Sequence, residues 1–288
     1  MRRRIKYLSY LCCMFIAVSF TSCSLFDPAS PVGSYIHIDS ISVTTDYVSQ
    51  GSNSKKITDA WVIYDNKYLG TFPLPADIPL IGEGNHNIII KGGIMENGIS
   101  GSRAAYPKYS SYTSDVNLTA GKSLVILPTI SYGSAVQFPQ LEDFDVASLS
   151  LIPTSTASVP LLITPLNDPN AFEGNSGWVV LDDNHTLFEV ASSSAFSLPI
   201  SIPTFVELNY KCESDFTIGV FINTSIGVVK SDLLNVRASA TWKKIYAGIS
   251  SLGGVATDGI SYKVYIHAEK PTSQITSNLY FDNLKVVY

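Results

Sequence analysis

From Val206, the stretch Phe205-Val206-Glu207-Leu208-Asn209-Tyr210-Lys211-Cys212 alternates apolar and polar residues without a break. A period of two marks a strand with one face in a core, because successive side chains leave a pleated strand on opposite sides. Val206, Leu208, Tyr210 and Cys212 then share the inner face, and Glu207, Asn209 and Lys211 the outer one. The pattern returns in 242–249, with Ile245, Ala247 and Ile249 inward and Trp242, Lys244 and Tyr246 outward. In 260–268 it sets Ile260, Tyr262, Val264 and Ile266 inward and Lys263, Tyr265 and His267 outward. No helical period of 3.6 persists over a long window. Short runs punctuated by Gly, Pro, Asn and Asp fill the chain instead, so the expected class is all-β.

Composition agrees. Of 288 residues, 45% are hydrophobic and only 15% charged, against about 25% charged in an average soluble domain. Sixteen Tyr and thirteen Phe suit half-buried strands better than helices. The length allows two domains. Acidic residues and Pro139 cluster at Phe138-Pro139-Gln140-Leu141-Glu142-Asp143-Phe144-Asp145. The expected division is a β-sandwich at 34–140 and a second at 141–288. Glu142, Asp143 and Asp145 have a spacing that suits calcium or a solvated linker, and the linker is the preferred reading.

The second half opens with Phe172-Glu173-Gly174-Asn175-Ser176-Gly177-Trp178, passes through Thr241-Trp242-Lys243-Lys244-Ile245-Tyr246 and closes with Leu279-Tyr280-Phe281-Asp282-Asn283-Leu284-Lys285-Val286. This order resembles the galactose-binding-like jelly rolls, which include many carbohydrate-binding modules. The resemblance spans 120–140 residues and implies a jelly-roll second domain that binds a glycan. On the outer face, Trp242, Tyr246, Tyr265, Lys244 and His267 are the candidate sugar residues. A sugar ring wants a flat aromatic surface with polar groups at its rim. Ordinary packing of strand aromatics explains the same residues. The resemblance further implies a structural calcium held by Glu173 and Asp282. Turn capping by either carboxylate is the alternative.

In the first half, strands are expected near 34–46, 57–64, 67–72, 86–92, 112–118 and 122–131. Asp65-Asn66 between two apolar runs signals a hairpin. The run from Trp61 to Leu74, followed by Gly84-Asn85-His86, resembles the PEGA-type repeat of bacterial envelope proteins. That resemblance supports a fold, and His86 reads as structural. Residues 92–112 read as a long Gly/Ser/Tyr loop packed on its own sandwich. A contact surface of Arg103, Tyr106, Tyr109 and Tyr112 is the alternative.

Arg2, Arg3, Arg4 and Lys6 precede an apolar run that ends at Phe20-Thr21-Ser22-Cys23. This is the layout of an export signal, and its end resembles the bacterial lipobox. It implies a leader at 1–22, lipidation of Cys23 and a tether over 23–33. The expected location is the outer membrane, on its periplasmic or surface face, in the style of Bacteroidota surface lipoproteins. An ordinary signal peptide or membrane anchor is the alternative. Asp39-Ser40-Ile41 matches the O-glycosylation pattern of those bacteria at Ser40; a chance match in a strand explains it as well. Of four Cys, Cys212 alone lies beyond the lipobox, and it reads as a core thiol.

Without the leader's four basic residues, 15 basic side chains face 24 acidic ones. That balance disfavours nucleic acid. There is no Gly-x-Ser-x-Gly, no His-Glu-x-x-His and no phosphate-cradling glycine loop. The four His are dispersed. The expectation is a lipid-anchored, non-catalytic binding protein for carbohydrate or glycoconjugate, with no cofactor beyond a structural calcium. The alternative is a structural or adhesive component of a surface protein assembly.

Overall fold

The computed structural model describes residues 32–146, 148–199, 202–249 and 259–288. The lipobox, Cys23 and nearly all of the expected tether lie outside the described residues. Among the described residues the helices are a single turn at Tyr47–Gln50 and a 3-10 turn at Glu96–Gly98. The protein is all-β.

The first half contributes β1 (Ser34–Ile38), β2 (Ser42–Thr44), β3 (Asp59–Tyr64), β4 (Lys67–Pro73), β5 (Ala76–Leu80), β6 (Gly84–Met95), β7 (Arg103–Ala105), β8 (Tyr112–Leu118), β9 (Ser123–Val125) and β10 (Thr129–Ser131). One sheet runs β4-β3-β6-β7, with β8 also on β6; a smaller one runs β5-β1-β9, and β2 pairs with β10. The β3–β4 hairpin turns on Asp65 and Asn66, at φ 47° and 62°. Two positive φ values match the right-handed twist of the flanking strands, and Asn and Asp tolerate them best. His86 locks this turn, its Nδ1 2.7 Å from Asp65 Oδ2. The single strand expected over 34–46 is two: β1 and β2 separate at Asp39-Ser40-Ile41, where Ser40 is exposed. Strand β5 escapes the sequence pattern because Pro79 interrupts it. Proline is tolerated there because β5 is an edge strand.

The second half supplies β11 (Gln140–Glu142), β12 (Leu151–Pro153), β13 (Leu162–Ile163), β14 (Gly177–Leu181), β15 (Leu187–Ser192), β16 (Phe205–Cys212), β17 (Phe216–Thr224), β18 (Gly227–Val236), β19 (Ser239–Gly248), β20 (Gly259–Glu269) and β21 (Ser277–Val287). They form two antiparallel sheets, β13-β14-β21-β16-β19 with β11 on β21, and β12-β15-β20-β17-β18. The sheets face each other as a jelly-roll sandwich. Its core holds Val206, Leu208, Tyr210 and Cys212 from β16 against Ile218, Val220, Val264 and Ile266. Phe281 sits at the centre, edge-on to Phe216 at 5.1 Å and stacked on Phe188 at 5.9 Å. Ile260, expected inward, is exposed at the start of β20. A register shift beside it, between Asn223 and Thr224, breaks the alternation.

The two halves are packed together. The apolar cluster of the first half extends into the second through Phe205, Tyr246 and Val287. Gln137 and Tyr288 exchange backbone hydrogen bonds, and Asn97 Oδ1 accepts from Gly248 N–H at 3.0 Å. Residues 92–112 differ from the expected loop. The β6 strand runs on to Met95 and returns as β7. Tyr106 and Tyr109 sit buried in the first half's own apolar cluster, as expected of a segment packed on its own sandwich, and also reach Phe205 and Tyr246 of the second half.

Candidate functional site

Much of the outward face of β16, β19 and β21 does not meet solvent. Glu207, Asn209, Lys244, Tyr246 and Lys285 are all buried, because the first half covers this face. Lys244 Nζ stands 2.7 Å from Glu207 Oε2. The hydroxyls of Tyr106 and Tyr132 donate to the same carboxylate at 2.7 and 2.9 Å. Burial alone would raise the Glu207 carboxyl. The charges of Lys244 and Lys285 and these hydrogen bonds hold it below its ordinary value. Lys285, buried beside Lys244, is pushed down to about 7.

Four side chains of this face grip one strap of the first half, residues 52–56. Lys285 Nζ donates to Ser52 O at 2.5 Å, and Lys244 Nζ to Ser54 O at 2.8 Å. Asn209 Nδ2 donates to Ser54 Oγ at 2.9 Å, while the Tyr246 hydroxyl oxygen accepts from Lys56 N–H at 3.0 Å. Capturing backbone carbonyls with buried ammonium groups satisfies both partners where no water reaches.

Beside the strap the two halves leave a cleft of about 290 Å³. It is lined by Ser54, Lys55 and Lys56 of the strap and by Phe172, Asn209, Trp242, Lys243 and Lys244 of the second half. The two aromatic rings lie 5.3 Å apart, and Trp242 is anchored by its Nε1–H to Asn170 O at 3.0 Å. Asn209 Oδ1 is buried and accepts no hydrogen bond. The cleft thus offers two aromatic rings and a cationic rim. Phe172, Asn209, Lys55, Lys56 and Lys243 were not among the sequence candidates. The signal that points to them is the pair of Lys-Lys dipeptides, 55–56 and 243–244, in a chain with few charges.

The five candidate sugar residues do not form one surface. Trp242, Lys244 and Tyr246 belong to the sheet covered by the first half, and Tyr265 and His267 to the opposite one. Tyr246 is 1% exposed and Lys244 4%. Trp242 alone of these three lies at an accessible edge, half-buried. On the far face Tyr265 is 0% exposed. Its ring lies across Gly219, where a Cβ would stand 2.2 Å away, with Phe221 at 4.8 Å and Lys230 Nζ 4.8 Å from its centroid. Its hydroxyl donates to Asp232. His267 Nδ1 lies 3.0 Å from Glu189 Oε2, which Lys230 Nζ also reaches at 2.5 Å. Burial works to raise the Glu189 carboxyl, but hydrogen bonds from Lys230, Thr154 and Thr156 prevail and hold it at about 2. This face is a satisfied polar network with its aromatic ring already covered.

Glu173 and Asp282 are neighbours. Asn283 links them, donating from Nδ2 to Glu173 Oε1 at 2.8 Å and from its backbone to Asp282 Oδ1 at 2.7 Å. Ser176 Oγ donates to Asp282 Oδ2 at 2.6 Å. Burial, with the nearby Glu173 charge, pushes the Asp282 carboxyl up to about 8 despite those hydrogen bonds. Asn283 Oδ1 is buried without a partner. Two carboxylates and an orphaned amide oxygen fit a hard cation, supplying part of the six to eight oxygens calcium takes. Among the described residues no group of three or more His, Cys, Asp or Glu gathers at one point.

No family model matches the chain, and no curated protein does. Solved structures similar to it include carbohydrate-binding modules and the enzymatically active domain of a bacteriophage tailspike protein. A xylan-binding domain of carbohydrate-binding module family 22 covers 54% of this chain and 96% of its own length, at 15% identity and a TM-score of 0.39. The family 11 module of a Clostridium thermocellum cellulosomal cellulase covers 53% and 95%, at 16% identity and a TM-score of 0.37. The family 30 module of another cellulosomal cellulase from the same organism covers 50% and 93%, at 9% and 0.36. The likeness spans about half of this chain.

Proposed function

We propose that this protein is a non-catalytic carbohydrate-binding protein whose site is the seam cleft between its two halves. The observation that carries the reading is the Trp242–Phe172 pair lining, together with the polar strap residues 54–56, one cleft of about 290 Å³. Sugar rings stack their C–H faces on aromatic walls and spend their hydroxyls on surrounding donors and acceptors. The division into a first unit over 34–140 and a jelly roll over 141–288 belongs to this reading, since the cleft needs both. A panel of oligosaccharides titrated into the soluble chain 24–288 tests it: saturable binding lost in Trp242→Ala supports the site, and binding that survives the change removes it.

The reading extends to location and to a cation. Lipidation of Cys23 would tether the cleft at the outer membrane, and Cys23→Ala should release the protein from membranes. Ser40, exposed between β1 and β2, is open to O-glycosylation. A calcium held by Glu173, Asp282 and Asn283 Oδ1 would tie the jelly roll's opening to its last strand. It would supply positive charge where two carboxylates meet.

A second reading, contact with a protein in a surface assembly, has its own observation. Strand β18 is the free edge of its sheet. Ile226 at its tip is 96% exposed, near exposed Val228 and Ile260. Open edges with apolar neighbours invite strand addition.

A further inference from the structure

We propose that the seam cleft selects acidic carbohydrate, with carboxylate or sulfate groups on the sugar, over neutral glycan. The inference rests on the carbohydrate reading above and narrows its ligand class.

The lining residues include Lys55, Lys56, Lys243 and Lys244 and no carboxylate. The chain as a whole has the opposite bias, with 24 acidic against 19 basic side chains. Lys244 is spoken for, its ammonium paired with Glu207 and bound to Ser54 O. Lys55, Lys56 and Lys243 are exposed. Among the described residues each of the chain's ten short His, Lys or Arg to carboxylate contacts involves other residues. Among the described residues, then, three ammonium groups border one cleft with no carboxylate within ion-pair distance.

Two of these cations repel each other. Partial burial, with the charge of Lys243 added, holds the Lys56 ammonium below its ordinary value. An anion bound between them relieves that repulsion; a neutral sugar does not. Backbone order keeps the arrangement in place. Lys56 N–H is fixed to the Tyr246 hydroxyl and Ser54 to Lys244 and Asn209, so the strap presents its lysines beside Trp242 without needing to fold on binding. Preorganised charge is what gives a binding site selectivity for a charged partner.

Stacking and charge have separate addresses in this cleft. Trp242 and Phe172 read the ring, and Lys55, Lys56 and Lys243 read its substituents. An exposed ion pair contributes a factor of about two to five in affinity, so three give roughly tenfold or more. The gain shrinks as salt rises, because charges separated by about 8 Å are largely screened at physiological ionic strength.

The test uses the soluble full chain and two matched pairs of ligands. One pair is oligogalacturonate and its fully methyl-esterified form, which keeps the sugar backbone and removes the charge. The other is a sulfated oligosaccharide and its desulfated form. Calorimetry should show at least about tenfold tighter binding for the charged member of one pair, which also tells carboxylate from sulfate recognition. That preference should fall in higher salt and vanish in the triple variant Lys55→Gln, Lys56→Gln, Lys243→Gln, whose exposed side chains leave the core untouched. Equal affinity within both pairs would overturn the acidic preference and leave carbohydrate binding standing. A preference that survives the triple variant would place the charge recognition elsewhere and overturn it too. No binding of any of the four, nor of a neutral panel, would overturn the carbohydrate reading itself.

Discussion

At the scale of single residues, the decisive group is Glu207. Its carboxylate meets Lys244 at 2.7 Å and two tyrosine hydroxyls inside the contact between the halves. Removing one member of a buried ion pair leaves an uncompensated charge and costs about 3–5 kcal/mol. Glu207→Gln should lower the stability of the whole chain by that order in urea denaturation at neutral pH. The double variant Glu207→Leu, Lys244→Met should not recover the loss, since it strands the buried Tyr106 and Tyr132 hydroxyls and Ser54 O without their partners. Asp282 and Lys285 write opposite slopes into the pH profile. Asp282 is raised from 3.8 to about 8. Its stabilising effect is therefore complete below its ordinary value and disappears as pH rises through about 8. Lys285 is lowered from 10.5 to about 7. The folded state there binds fewer protons than the unfolded chain, so stability falls as pH drops from 10.5 through about 7. In cation-free buffer the two give a stability minimum near neutrality. Thermal melts from pH 4 to 10 should show it, and Asp282→Asn should erase the acid-side slope while keeping the alkaline one. Added calcium should flatten the same acid-side slope, read in the same melts.

At the scale of elements, the strap 52–56 and strand β19 depend on each other. Tyr246→Phe removes the acceptor of Lys56 N–H and a partner of Tyr109. An unpaired buried donor costs about 1–3 kcal/mol. The variant should loosen the strap, read as faster amide exchange or proteolytic nicking at 52–58 with little change in the β17 and β20 amides. Element scale is also where the sequence was informative and where it stopped. Alternation in β16, β19 and most of β20 gave each side chain's facing correctly, because pleat geometry is local. It could not give sheet membership. Strands β19 and β20 are consecutive yet lie in opposite sheets, so an outward face on one points away from an outward face on the other. That is why Trp242 and Tyr265, which read as one platform, stand on opposite sides of the sandwich. The alternation also says nothing of what covers an outward face. Glu207, Asn209, Lys244 and Lys285 are polar and outward, and they are buried by a different part of the chain. The tyrosines at 106, 109 and 132 that do the covering carry no periodic signal, since all three lie outside the strands. Trp242 itself was legible, being a large aromatic in an otherwise charged run.

At the scale of the whole molecule, the first half closes one face of the jelly roll and converts an open sheet into a narrow seam. The outer sheet surface is used for internal contact, and the accessible chemistry moves to its edge, where Trp242, Phe172 and the strap lysines meet. Ligand binding and the packing of the halves then share residues: Asn209 and Lys244 both line the cleft and hold the strap. Binding should accordingly raise the stability of the chain as a unit, by mass action on the folded state. The most direct measurement of the account is the intrinsic fluorescence of the soluble chain titrated with the glycan that binds it, in wild type and in Trp242→Phe. The chain's other tryptophans, Trp61 and Trp178, lie outside the cleft lining and remain as internal references. The account predicts a saturable emission change in wild type that disappears in Trp242→Phe while binding itself weakens. A saturable change of equal size and affinity in the variant would place the ligand away from the seam and contradict the account.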